Sequence, residues 1–301
     1  MMRVLLFLAT NLAVMLIAGV VLHLTGLDLY LQSRTGTHLL GMLGAFFVIG
    51  MAGSVVSLLL SKFMAKMSTG TRIIQHPENS QEQWLIDTVA ELAQQAGIRM
   101  PEVGIFPMQQ ANAFATGWNR NSALVAVSEG LLTQMRPEEI RAVIGHEIGH
   151  VANGDMVTLA LIQGVVNTFV MFFARLVAMG IDAFMRRSNE DRGLGQLAFF
   201  AVEMVMQVVL GIAASAIVAW FSRWREYRAD AAGARLAGSG AMINALARLK
   251  TGSQQADEMP DSMTAFAITQ GQISSFMQKL FASHPPLDDR IHALKQTAYH
   301  G

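Results

Sequence analysis

The 301-residue chain contains no cysteine. Disulfides, a cysteine nucleophile, iron–sulfur clusters and any zinc site built on thiolates are therefore excluded. Charge is also scarce: 15% of the residues are charged, against about 25% in an ordinary soluble domain. Lys and Arg total 22 and Asp and Glu total 22, so the net charge is zero. That balance removes the basic footprint of a nucleic-acid binder. Apolar residues take up the space: 52% of the chain is hydrophobic, with 20 Met and 16 Phe, and the mean hydropathy is +0.37. Part of the surface is expected to face lipid rather than water.

Residues 4–27 and 38–61 contain no Asp, Glu, Lys or Arg. Each run exceeds the roughly 20 residues that cross a hydrocarbon core at about 1.5 Å per residue. For the first run the alternative is a cleaved signal peptide starting at Arg3. A signal core is only about 7–15 residues long, however, and no small-residue cleavage site follows this run. Residues 1–61 read as a transmembrane hairpin.

Residues 157–174 and 204–222 also lack formal charge, although Gln163 and Asn167 interrupt the first, and Glu203 and Gln207 flank or enter the second. Buried helices of a soluble core are the alternative here. Polar groups within a spanning helix usually face other helices or a wet cavity, and residues 155–222 read as a second hairpin. Arg186 and Arg187 at its tip would have to cross, or the hairpin would stay partly embedded. Basic residues favour a cytoplasmic N-terminus, with Arg3, Lys62, Lys66, Arg72, Arg223, Arg225 and Arg228 inside. Arg34, Arg186, Arg187 and Arg192 then lie on the opposite side.

Two water-facing segments remain, 62–154 and 223–301, on the same side in any two-hairpin arrangement. In the first, Leu85, Val89, Leu92 and Ala96 recur at helical spacing, while 103–106 and 122–127 are strand-like. Pro137, followed by Glu138 and Glu139, reads as a helix start. The second segment is helical by pattern. The expected fold class is mainly α with a small β-sheet: a polytopic membrane protein whose two water-facing segments form one domain.

The helix opened by Pro137 carries His146-Glu147-Ile148-Gly149-His150, an H-E-x-x-H motif. Residues four apart share a helix face, so both imidazoles can reach one tetrahedral ion. Glu147 is rotated by about 100° and can act on a water beside the metal. A third protein ligand is required. The metzincin extension is absent, because Asn153 stands at its Gly position and Met156 at its third His. The remaining option is a carboxylate on another helix, giving a His₂Glu set. The best candidate is Glu226, with Asp230 one turn on, placed to accept the other N–H of a ligating histidine. A solvated charged helix face is the alternative reading of that acidic pair.

In this order, the N-terminal spans, HEIGH, the second apolar hairpin and Glu226-Tyr227-Arg228-Ala229-Asp230 resemble the HtpX-type integral-membrane zinc metalloproteases. That family is related to the CAAX-prenyl endopeptidases, and the resemblance covers essentially the whole chain. It implies a gluzincin core with one Zn²⁺ per subunit, facing the cytosol from the bacterial inner membrane. It also implies misfolded or damaged membrane proteins as substrates, under heat or envelope stress. By the same similarity, Asn112, Ala113 and Phe114 hold the substrate backbone against an edge strand, an ordinary turn being the alternative. His284 and Arg290 likewise approach the active site, where His284, with Arg290 as a second candidate, would stabilise the developing oxyanion. A helix-entry loop with Arg290 in a structural ion pair is the other reading.

The expected activity is zinc-dependent peptide-bond hydrolysis, with His146, His150 and Glu226 as metal ligands and Glu147 as general base. Two rival readings share the motifs: a prenyl-peptide endopeptidase, and a non-proteolytic membrane zinc protein or transporter using Glu203, Gln163 and Asn167. Transporters usually place their ligands at mid-membrane, whereas these ligands flank the predicted spans.

Overall fold

A computed structural model of the chain describes residues 38–188, 193–256 and 285–299. The apolar run at 4–27 and His284 lie outside the described residues. In chain order the elements are α1 (Leu39–Thr69), β1 (Arg72–Ile73), α2 (Ser80–Gln95), β2 (Glu102–Phe106), β3 (Ala113–Asn119) and β4 (Ser122–Ser128). They continue with α3 (Glu129–Gln134), α4 (Pro137–Asn153), α5 (Asp155–Ser188), α6 (Gly195–Ala237), α7 (Ser239–Ala256) and α8 (Leu287–Tyr299). The chain divides into two compact units, Met1–Ser57 with Thr158–Val218 and Leu58–Val157 with Ala219–Gly301.

Three helices, α1, α5 and α6, are long and apolar enough to cross a membrane, and the first unit holds their apolar stretches up to Ser57, from Thr158 and up to Val218. They correspond to three of the four apolar runs of the sequence. Their outward faces are lipid-like, with Leu197 82% exposed and Phe184 70% exposed, an arrangement that would aggregate in water. Helices in lipid gain little from apolar side chains and associate where small residues let backbones approach. Gly50 of α1 meets Gly164 and Thr168 of α5 in this way: a Cβ on Gly50 would lie 2.7 Å from the Gly164 carbonyl oxygen. Alongside, Ser54 Oγ donates to the Ala160 carbonyl at 2.6 Å.

The second unit is built around a four-stranded sheet in the order β1-β2-β4-β3. β2 and β4 run parallel, and β3 returns antiparallel to β4 as an edge strand. Alternation along the strands gives the sheet two apolar faces. Val103, Val125 and Val127 join the helices, while Phe106, Leu124 and Ala126 pack with Phe114 on the other side. α2 starts where Asn79 accepts from the Glu82 amide at 2.8 Å, and buries Leu85, Val89 and Leu92 along one stripe.

α4 is the buried centre of this unit. Pro137 opens it, with the Arg136 amide donating to Glu139 Oε2 at 2.9 Å. Ile140, Ile144 and Ile148 turn one face into the core with Met242 and Leu246 of α7. Gly154, at φ +67°, ends the helix in the left-handed conformation that glycine adopts without a Cβ penalty. On another face α4 crosses α6 with almost no side chain between them. A Cβ on Gly145 would meet Gly233 Cα at 3.3 Å, and one on Gly149 would meet Ala232 Cβ at 2.7 Å.

The crossing predicts a graded response to one added methyl group. Gly145→Ala should stay within about 1 kcal/mol of wild type, because better helix propensity offsets tight contacts. Gly149→Ala should cost about 1–3 kcal/mol through overpacking and weaken metal binding. Thermal denaturation in detergent with a metal assay checks both.

Candidate metal centre

The α4–α6 crossing brings three potential ligand side chains together. His146 Nε2 and His150 Nε2 are 3.2 Å apart, and Glu226 Oε2 and Oε1 lie 3.6 and 3.3 Å from them, respectively. Ligand atoms about 2.0–2.2 Å from a tetrahedral ion are separated by about 3.3–3.6 Å. The spacing and the donor set of two imidazole nitrogens and one carboxylate therefore fit a zinc-sized divalent ion. Glu226 is only 2% exposed and His146 6%; such groups stay buried only when compensated.

Each imidazole is oriented through its second nitrogen. Asp230 Oδ1 lies 2.9 Å from His146 Nδ1, and Asp155 Oδ2 lies 2.7 Å from His150 Nδ1. Carboxylates in these places fix the ring and leave Nε2 to face an ion. The carboxylates are held in turn. Arg290 Nε donates to Asp230 Oδ2 at 2.8 Å and Nη2 donates to Oδ1 at 2.6 Å, while Nη1 stands 3.3 Å from Glu226 Oε2. Arg225 Nη1 donates to the Asp155 carbonyl at 3.3 Å, and Nη2 to Ser222 Oγ at 3.0 Å.

The electrostatics follow from this packing. Burial alone would raise the Asp230 carboxyl, but the bonds from Arg290 and His146 outweigh it and hold the group below the usual carboxylate range. Burial likewise disfavours charge on His150, yet the bonds to Asp155 and Glu226 prevail and push it up to about 9. Glu147 is half-buried and lies within electrostatic reach of both histidines.

Among the residues named from sequence, the structure thus gathers His146, Glu147, His150, Glu226, Asp230 and Arg290. Asn112 lies just before β3, with its backbone amide donating to Ser128 Oγ at 2.9 Å. Ala113 and Phe114 are the first residues of β3, and β3 packs against α4. Two site residues were missed by sequence reasoning, Asp155 and Arg225. The Gly154-Asp155 pair gave a usable signal: glycine stops the helix one turn after His150 and turns the next acid back towards it.

Comparison with known proteins places this arrangement. The family model described as "Peptidase family M48" matches residues 79–298. The chain belongs to peptidase family M48. It is 67% identical over 299 residues to a protein named Protease HtpX from Chromohalobacter salexigens, covering 99% of both chains. Proteins of that name from Hahella chejuensis and Alcanivorax borkumensis are 60% and 58% identical, each matched over 98% of this chain and 99% of the relative. Among solved structures, S. mikatae Ste24p superposes with a TM-score of 0.58 at 18% identity, over 92% of this chain and 64% of that one. That likeness speaks for the fold, mainly helical with a small sheet. Family and relatives together make this M48 member a membrane-bound metalloendopeptidase acting on protein substrates. The prenyl-peptide and non-proteolytic readings are not favoured.

Two outcomes follow for the centre. An ion must displace the proton from His150, so affinity should rise with pH up to about 9, and loading at neutral pH should release protons. Calorimetry in buffers of different ionisation enthalpy measures that release. Asp155→Ala should weaken metal binding by about 10–100-fold, read by competition with a chromogenic chelator.

Proposed function

We propose that His146, His150 and Glu226 hold one Zn²⁺ and that Glu147 is the acid–base residue of peptide-bond hydrolysis. The observation that carries this reading is the 3.2–3.6 Å spacing between facing atoms of the three side chains across the α4–α6 crossing. A zinc ion bound there supplies Lewis-acid polarisation of the scissile carbonyl and lowers the pKa of a water towards about 7. Glu147 then takes the water's proton on its carboxylate and returns it to the leaving nitrogen. Asp230 and Asp155 keep the imidazoles aimed. Arg290 acts as a positioning residue, since its guanidinium is committed to Asp230 and Glu226; this favours the ion-pair reading of that arginine. His284 is assigned as the donor to the developing oxyanion.

Substrate is proposed to bind as an added strand on the β3 edge, whose outer side pairs with no other strand among the described residues. Asn112, Ala113 and Phe114 lie where that strand begins, and the Asn112 side chain can both donate to and accept from a peptide unit.

Residues 1–61 and 155–222 serve as membrane hairpins, and 62–154 with 223–301 form one catalytic domain. Unit boundaries after Ser57, Val157 and Val218 support this division. The excess of Lys and Arg flanking the spans on the catalytic side supports a cytosolic site in the bacterial inner membrane. The substrates assigned are misfolded or damaged membrane proteins, cut near the bilayer under stress. Bacterial relatives at 58–67% identity over nearly the whole chain support this reading.

Glu147→Gln tests the mechanism. Cleavage of an unfolded membrane-protein substrate should fall by about 10²–10⁴-fold, with zinc still bound at the wild-type level. Turnover retained in the variant would refute the assignment.

A further inference from the structure

Within the first unit, α5 and α6 carry charged groups that hydrolysis does not use. The charge-free run 157–174 ends at Arg175, and the charge-free run 204–222 begins directly after Glu203. These two residues meet: Arg175 Nη1 donates to Glu203 Oε2 at 2.6 Å, and the guanidinium carbon lies 4.6 Å from the centre of the Phe199 ring. The pair therefore lies at the same end of both charge-free runs, within membrane-length helices that continue beyond it, α5 to Arg186 and α6 back to Gly195. Two turns further along α5, Asp182 accepts from Arg186 Nε at 2.9 Å and from the Leu194 amide at 2.7 Å.

These groups line a cavity of about 800 Å³ walled on its apolar side by Leu197 and Phe200. An ion pair alone would explain Arg175 and Glu203, but it would not explain the space or the exposure around them. The Arg175 side chain is 41% open although one donor is committed to Glu203. Leu197 and Phe200 on the wall are exposed, while Glu203 itself is buried. A partly exposed guanidinium with donors to spare matches a phosphate, which it binds through paired N–H groups. The two carboxylates match a cation, and the exposed apolar wall matches acyl chains. Two arginines against two acids make the cavity neutral overall, which suits a zwitterion better than an anion.

We propose that this cavity binds the headgroup of an aminophospholipid, with the phosphate on Arg175 and Arg186 and the primary ammonium on the Glu203 side. A primary ammonium donates hydrogen bonds to carboxylates, which a choline headgroup cannot do, and a glycerol headgroup brings no cation. The inference rests on the membrane-spanning reading of α5 and α6 and not on the peptidase mechanism.

The test uses the full chain purified in detergent, with bound lipid measured by native mass spectrometry during titration with phosphatidylethanolamine, phosphatidylcholine or phosphatidylglycerol. Phosphatidylethanolamine should be retained at least about tenfold more tightly than the other two. Arg175→Gln should weaken retention of all three lipids at least about tenfold, and Glu203→Gln should remove the preference for phosphatidylethanolamine. Arg186→Gln, an exposed position on the same cavity, should likewise weaken retention of all three lipids several-fold and serves if Arg175→Gln does not fold. Zinc content and melting temperature report folding separately from lipid binding. Equal retention of the three lipids, or unchanged retention in folded Arg175→Gln and Arg186→Gln proteins, would overturn the proposal. Displacement of the lipid by millimolar inorganic phosphate would also overturn it, and would assign the cavity to a free anion.

Discussion

The close approach of α4 and α6 is the constraint on which the rest of the second unit depends. Gly145 and Gly149 on one helix face Ala232 and Gly233 on the other, with van der Waals contact between backbones. At that separation the carboxylate of Glu226 reaches both imidazoles directly. Gly149 therefore matters as much as its histidine neighbours, although it holds no ligand atom: it sets the distance that makes His146, His150 and Glu226 a single site. α4 itself is fixed by burial of Ile140, Ile144 and Ile148 against the sheet, α2 and α7, so the crossing has a rigid base.

Concentrating charge at this crossing is costly. Glu226, Asp230, Arg225 and Arg290 are each less than 9% exposed, beside a buried His146, and desolvation of such groups exceeds what isolated ion pairs recover. The cost is met by connection. Arg290 bridges Asp230 and Glu226, Asp230 orients His146, Asp155 orients His150, and Arg225 holds the Asp155 backbone. Ligand atoms that face one another across about 3 Å are poorly satisfied by protein alone and well satisfied by a divalent cation. The first unit handles the problem differently. In lipid it relies on small-residue contacts such as Gly50 with Gly164, and it neutralises its charges in pairs at the ends of the apolar runs.

Much of this was legible in the linear chain. Apolar runs long enough for a bilayer announce themselves because lipid demands uninterrupted hydrocarbon. The H-E-x-x-H spacing reveals a shared helix face because the helical repeat is local. The short apolar runs at 103–106 and 122–127 likewise suggest strands, because runs of this length match buried strands better than helices. Glu226 and Asp230 could be named because both sit on one helix and the chemistry required a carboxylate beyond the motif. Asp155 was not seen, although it stands five residues from His150. Its side chain meets that ring across the break at Gly154, where a positive φ ends α4 and α5 begins. Arg225 stood one residue from Glu226 and offered no separate signal, as its target is a backbone carbonyl contributed by another helix.

The sequence by itself determined the principal helices, two of the four strands, the membrane-length runs and which residue types have metal and acid–base chemistry, because these follow from local periodicity and composition; β1 and β3 were not legible there. Only the tertiary structure decided that α4 and α6 touch through glycine and alanine, that each histidine receives its own carboxylate, and that Arg290 is committed to Asp230. Those outcomes depend on the distance between elements up to 144 residues apart. Packing volume and the burial of charge fix that distance, and neither can be read from spacing along one chain.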